Sequence, residues 1–145
     1  MNEIKGKELF LFGSGGHAKV VVATLREIGE KFSGFVLSDI DTKKNIESQK
    51  YLTESEFFEN YDLNSTSIIN CIGSMPMSSK RMEVSNKLRE LGYEIRNCIH
   101  PSAYLSDDII ISNGVHIMAG VIIQPSTKIG RDTIINTKVS IDHDC

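Results

Sequence analysis

The stretch that decides the fold is Leu105–Cys145, which divides into LSDDII, ISNGVH, IMAGVI, IQPSTK, IGRDTI, INTKVS and IDHDC. Leu105, Ile111, Ile117, Ile123, Ile129, Ile135 and Ile141 recur every six residues. Four positions after each comes a smaller or β-branched residue: Ile109, Val115, Val121, Thr127, Thr133, Val139 and Cys145. A period of six sustained through seven units is an internal repeat and not an amphipathic helix or an alternating strand. The spacing predicts a parallel β-helix in which each hexapeptide forms one flat face and three faces close a turn of roughly 18 residues. The aliphatic residue then points inward and stacks on its equivalent one turn away, and the smaller one fills the corner. Gly114, Gly120 and Gly130 are read as falling at different phases and are assigned only to turns. A β-sandwich would need period-two alternation and hairpin turns, which are missing.

Toward the N-terminus the pattern changes near Pro101. Glu8–Phe12 reads as a buried strand, 13–16 as a tight turn and Ala18–Ile28 as a helix closed by Gly29. Strands are expected at 35–37, 67–72 and 93–99, a polar loop at 38–49, and helices at 54–61 and 78–91. The last helix has Met82, Val84, Leu88 and Leu91 as its apolar face and Gly92 as its C-cap. Strand–helix alternation of this kind indicates a small parallel sheet with right-handed crossovers. The expected organisation is thus α/β plus β: a small Rossmann-like domain over residues 1–100, then a short parallel β-helix over 101–145.

With 145 residues and 40% hydrophobic content, the chain can build a core, and disorder is excluded. A net charge of -3, with no basic cluster beyond Lys80-Arg81, argues against nucleic acid as a partner. The apolar runs at 9–12 and 20–23 are far below the roughly 20 residues of a membrane span. The charged N-terminus does not resemble a secretion signal, so a cytoplasmic protein with free thiols at Cys71, Cys98 and Cys145 is expected. No histidine or cysteine spacing suggests a metal site.

Two motifs bear on chemistry. Gly13-Ser14-Gly15-Gly16-His17-Ala18 follows a strand and opens a helix, with Gly13, Gly15 and Ala18 in the small positions of a nucleotide-binding turn. Asp39, 21 residues past Ala18, is suited to a ribose or base edge. Nucleotide or nucleotide-sugar binding follows, although tight strand-to-helix turns also use glycine simply for packing. The second is INTKVSIDHDC, where His143 lies two residues beyond inward Ile141 with Asp142 and Asp144 beside it. A histidine there can accept a proton from a hydroxyl or amine; an exposed polar corner is the other reading. His100 and His116 lack such an acidic pair and are read as structural or surface residues.

Taken together, GSGGHAKVV at 13–21, IGS at 72–74, IHPSA at 99–103 and INTKVSIDHDC at 135–145 resemble bacterial sugar acetyltransferases of the PglD/NeuD type along the whole chain. The resemblance implies a Rossmann-like substrate domain, a left-handed β-helix and a homotrimer. It implies acetyl-CoA as co-substrate and direct transfer to a nucleotide-activated amino sugar, or in the NeuD branch to a sialic acid hydroxyl. By the same resemblance His143 is the general base, Asp144 the acid beside it (often Glu in the family) and Asn136 an active-site amide. Gly13, Ser14, Gly15, Gly16, His17 and Asp39 form the sugar-nucleotide pocket, bordered by Gly73, Ser74 and Lys80.

In the family further coils follow the histidine motif, whereas about 41 residues run here from Leu105 to Cys145. A fragment, or an edge covered by a partner, is therefore expected. A non-catalytic nucleotide-sugar-binding module is the alternative; a dehydrogenase has no use for the repeat.

Overall fold

The computed structural model describes residues 6–38, 46 and 49–145. The first part is a five-stranded parallel sheet of order β3-β2-β1-β4-β5, the order of a doubly wound nucleotide-binding sheet without its sixth strand. Its strands are β1 (Glu8–Phe12), β2 (Gly34–Leu37), β3 (Tyr51–Thr53), β4 (Thr66–Asn70) and β5 (Glu94–Ile95); its helices are α1 (Gly16–Glu27), α2 (Glu54–Asn60) and α3 (Lys80–Glu90).

The central strands β1 and β4 are buried on both faces, apart from Glu8 at the start of β1, because both faces are covered. On one side Leu9, Leu11, Phe35 and Ile69 pack against Ala18, Val21, Val22 and Leu25 of α1. On the other Phe10, Phe12, Val36 and Ile68 meet Phe57 of α2 and Leu88 of α3. Helix α2 starts at a reciprocal capping box, Thr53 with Glu56, and Gly29 and Gly92 end α1 and α3 in the left-handed region.

Two expectations need correction in this part. Strand β3 lies between the loop expected at 38–49 and the helix expected at 54–61, in residues assigned to no element; it is an edge strand of three half-buried residues and has no apolar run to announce it. In α3 the inward residues are Arg81, Ser85 and Leu88, while Met82 is 61% and Leu91 46% exposed. The reason is polar: buried Asn70 donates from its amide to Ser85 Oγ at 2.8 Å and to the Arg81 carbonyl at 2.9 Å. That network docks α3 on the end of β4 beside the apolar contacts of Val84 and Leu88.

The second part is a coil of short parallel strands, β6 (Cys98–Ile99), β7 (Tyr104–Leu105), β8 (Ile110–Ile111), β9 (His116–Ile117), β10 (Ile122–Ile123), β11 (Lys128–Ile129), β12 (Ile134–Ile135) and β13 (Ser140–Ile141). They stack in three sheets, β13-β10-β7, β11-β8 and β12-β9-β6. The register pairs Leu105 with Ile123 and Ile123 with Ile141, and Ile99 with Ile117 and Ile117 with Ile135. Partners 18 residues apart are the three-faced turn anticipated from the hexapeptides. Val115, Ile117, Val121, Ile123, Ile129 and Ile135 form its buried core. The strand expected over 93–99 is divided: Glu94–Ile95 completes the first sheet and Cys98–Ile99 opens the coil.

The glycine phases are also corrected. Positive φ recurs every six residues at Gly114, Gly120, Ser126, Asp132, Lys138 and Asp144, so Gly114 and Gly120 share one corner position and Gly130 does not. From Ile111 onward each repeat unit makes its bend with one left-handed residue, and only the first two of these six are glycine.

The coil packs on the α1 side of the sheet: Cys98 and Met118 belong to the same buried cluster as Leu9, Val21 and Leu25. Arg81, 6% exposed, joins the parts with no carboxylate in direct contact among the described residues. Its guanidinium donates to the carbonyls of Asn70 (2.6 Å) and Ile72 (2.7 Å) after β4, and to those of Gly114 (2.9 Å) and Asp132 (2.8 Å) on the coil. Arg89 holds Asp132 in a bidentate pair at 2.8 and 2.9 Å. Among the described residues no helix is long and apolar enough to cross a membrane.

Candidate functional site

The site lies at the carboxyl ends of the sheet strands, where a doubly wound sheet opens a crevice. Between β1 and α1 the chain must turn sharply, and Gly13 does so at φ +93° with Ile72 filling the space a side chain would need. A Cβ there would meet Ile72 Cγ1 at 3.0 Å and the Ile72 backbone nitrogen at 3.3 Å, so the position excludes a side chain for two reasons. Gly15 caps α1, no side chain caps that helix end, and Cβ atoms at Gly15 or Gly16 would meet nothing within 4 Å. Those glycines keep space open above the first amides of α1, where the helix dipole favours an anion or an electron-rich oxygen. Ala18, fully buried, lets the helix lie close on the sheet.

This turn forms one wall of a cleft of about 870 Å³. Gly13, Ser14, Gly15, Gly16 and His17 line it together with Gly73, Ser74 and Lys80, and Asn136 enters from the coil. Eight expected site residues and Lys80 thus meet in one cavity although they are spread over more than 120 positions of sequence. Asp39 lies outside the described residues. His143 and Asp144 are not in the lining; they stand on an outer corner of the coil with side chains 75% and 73% exposed. His143 Nδ1 and Asp144 Oδ2 are 2.6 Å apart, which leaves Nε2 as the ring's outward nitrogen.

One residue behind the cleft lining was read from the sequence only as structural or surface. His116, fully buried, lies against His17: the rings are nearly parallel with centroids 5.0 Å apart, and His17 Nε2 is 2.8 Å from His116 Nδ1. Burial, with the Arg81 guanidinium as the second cause, lowers the His17 pKa to about 4. The same two causes, with His17 third, lower that of His116 to about 2. Both rings are neutral near pH 7, so the cleft wall holds no imidazolium. Burial pushes the Cys98 thiol to about 11 and that of Cys71, beside the cleft, well above its usual value, so neither is a thiolate nucleophile. Among the described residues no group of three or more His, Cys, Asp or Glu is arranged to hold a metal ion.

Comparison with known proteins points to one family. Residues 8–88 match the family model of the PglD N-terminal domain, more than half of the chain. Among solved structures the chain is similar to PerB from Caulobacter crescentus in complex with CoA and GDP-perosamine, at 32% identity and a TM-score of 0.79, over 99% of this chain and 65% of that one. A mutant of perosamine N-acetyltransferase from the same organism, with the same two ligands, matches at 32% identity and a TM-score of 0.80, with the same coverage of both chains. The acetyltransferase domain of PglB from Neisseria gonorrhoeae FA1090 in complex with acetyl coenzyme A matches at 25% identity and a TM-score of 0.81, over 97% of this chain and 66% of that one. The chain therefore spans just under two thirds of the length of these structures. With its sheet order, its cleft and its coil of short parallel strands, the chain belongs to the PglD/NeuD-like sugar acetyltransferase family, its residues 8–88 forming the PglD N-terminal domain.

Proposed function

We propose that the protein transfers acetyl from acetyl-CoA to the amine of a nucleotide-activated amino sugar. The observation that carries this reading is the cleft shared by the glycine turn and by Asn136 of the coil, which gives one ligand access to both parts of the chain. The open α1 terminus and Lys80 suit the oxygen-rich, anionic portion of a sugar nucleotide, and Gly73, Ser74 and Asn136 border the space for its sugar. The neighbours' ligands, CoA with GDP-perosamine and acetyl-CoA, support the same pair of substrates.

In this reading His143 is the base. Its Nδ1 faces Asp144, which fixes the tautomer and stabilises the imidazolium as Nε2 takes the amine proton. The amine nitrogen bonds to the thioester carbonyl carbon, the C–S bond breaks, and the CoA thiolate leaves as thiol once protonated; no acyl-enzyme forms. Exposed His143 lies outside the cleft lining of its own chain. It serves a cleft in a homotrimer, where left-handed coils pack side by side and one chain's corner faces another's cleft. The reaction belongs in the cytoplasm, where acetyl-CoA and nucleotide sugars are made.

Thiol release from acetyl-CoA with 4-amino sugar nucleotides, GDP-perosamine included, tests the proposal. His143→Ala is expected to slow release by about 10²–10⁴-fold, the usual contribution of a general base. An unchanged rate would remove His143 from the mechanism. An alkali-labile ester in place of a stable amide would assign the chain to sialic acid O-acetylation, and binding of the sugar nucleotide without acetyl-CoA would make it a binding module.

A further inference from the structure

The His17–His116 pair contains a proton-counting problem with one good solution. His116 is fully buried, its Nδ1 lies 2.8 Å from His17 Nε2, and its other nitrogen, Nε2, is buried with no hydrogen-bond partner among the described residues. A charged His116 is excluded, since an imidazolium there would be sealed from water close to Arg81, a cation that already spends its donors on four carbonyls. Two neutral arrangements remain. If His17 donated from Nε2, His116 would have to carry its own proton on Nε2, leaving a buried N–H with no acceptor. Orphaned buried N–H groups are rarer than orphaned acceptors, and an unmet donor costs about 1–3 kcal/mol. If His116 donates from Nδ1, only a bare lone pair is left in the interior, and His17 must carry its single proton on Nδ1. That nitrogen forms no hydrogen bond among the described residues, and His17 lines the cleft.

We infer that His116 is a positioning residue: it donates from Nδ1 to His17 Nε2 and so fixes His17 as the Nδ1–H tautomer, which meets the cleft's ligand as a hydrogen-bond donor to oxygen. The ligand group opposite His17 is then an acceptor, such as a phosphoryl, hydroxyl or carbonyl oxygen, and His17 takes no proton from it. Naming that ligand rests on the function proposed above; the tautomer does not.

Nitrogen-15 spectra of histidine-labelled protein at neutral pH, without ligand, read the tautomer directly. The expected result is a pyrrole-type Nδ1 and a pyridine-type Nε2 for His17, and a pyrrole-type Nδ1 for His116. A His17 protonated on Nε2, or averaged between tautomers, overturns the inference even if the protein proves to be an acetyltransferase. Substitution adds a second reading. His116→Asn places an amide N–H where Nδ1 stood and is expected to keep His17 in its single tautomer; His116→Phe preserves ring packing and is expected to release it to a mixture. Equal His17 spectra in the two variants would show that His116 merely fills space. If His116→Phe does not fold, the wild-type spectrum decides alone.

Discussion

At the scale of single residues the two histidines make stability depend on pH. Unfolded, each titrates near 6.5; folded, burial and then Arg81 lower His17 to about 4 and His116 to about 2. Between those values the unfolded chain binds more protons than the folded one, so stability is complete above about pH 6.5 and is lost as pH falls. One fully neutral buried histidine gives a slope of about 1.4 kcal/mol per pH unit, or about 3 kcal/mol between pH 6.5 and 4. Half-exposed His17 contributes less, since solvent screens its charge. Denaturant titrations from pH 7 to 4 are expected to show this loss in the wild type and a shallower one in His116→Phe; equal slopes would mean that His116 charges freely in the fold. The hexapeptide register could not have exposed this residue. It places His116 beside inward Val115 and Ile117 on a face that points away from the coil's core, and outward faces ordinarily meet water. What buries this one is α1, from the other part of the chain, and a six-residue period carries no information about which outer face another sheet will cover.

At the scale of elements, the repeat was legible because each inward aliphatic is required by its neighbours 18 residues away, and β1 was legible because both of its faces are buried. Strand β3 and the inner face of α3 were not, since one is a three-residue edge strand and the other carries the Asn70–Ser85–Arg81 network. The corners give a sharper test. Gly114 and Gly120 occupy equivalent left-handed corners, at φ +78° and +67°, yet their surroundings differ. A Cβ at Gly114 would lie 2.5 Å from Asp132 Oδ1, a carboxylate pinned by Arg89; at Gly120 it would meet only the movable Lys138 Cγ at 3.3 Å. Alanine at Gly120 is expected to cost about 1–2 kcal/mol of left-handed strain, the cost the coil already bears at Ser126, Asp132 and Lys138. Gly114→Ala adds the displaced ion pair and is expected to cost about 2–4 kcal/mol. Chemical denaturation of both variants checks the order; equal losses would mean that Asp132 moves aside without cost.

At the scale of the whole molecule, one sheet face is finished by the coil, and Arg81 fastens the junction. The sequence could place a boundary near Pro101 and a cleft at the glycine turn, but not this fastening, because a lone arginine at the start of a helix ordinarily reads as a solvated charge. Buried as it is, the guanidinium remains tolerable only while its four carbonyl partners stay in place, two on each side of the junction. It therefore couples the unfolding of the two parts: separating them breaks its two bonds to the coil, to the Gly114 and Asp132 carbonyls. Arg81→Met fills similar volume without donors and leaves those carbonyls unmet, an expected loss of about 2–4 kcal/mol by the scale of charge-assisted hydrogen bonds. Because all three helices of the described residues lie in the first part, far-ultraviolet circular dichroism follows that part, while hydrogen exchange of the 98–141 ladder amides follows the coil. In the wild type the two signals are expected to disappear together, as one cooperative unit. In Arg81→Met the coil amides are expected to lose protection before the helical signal falls. Coincident loss in the variant would locate the coupling in the Cys98 and Met118 contacts alone, and separate loss in the wild type would show that Arg81 does not join the two parts.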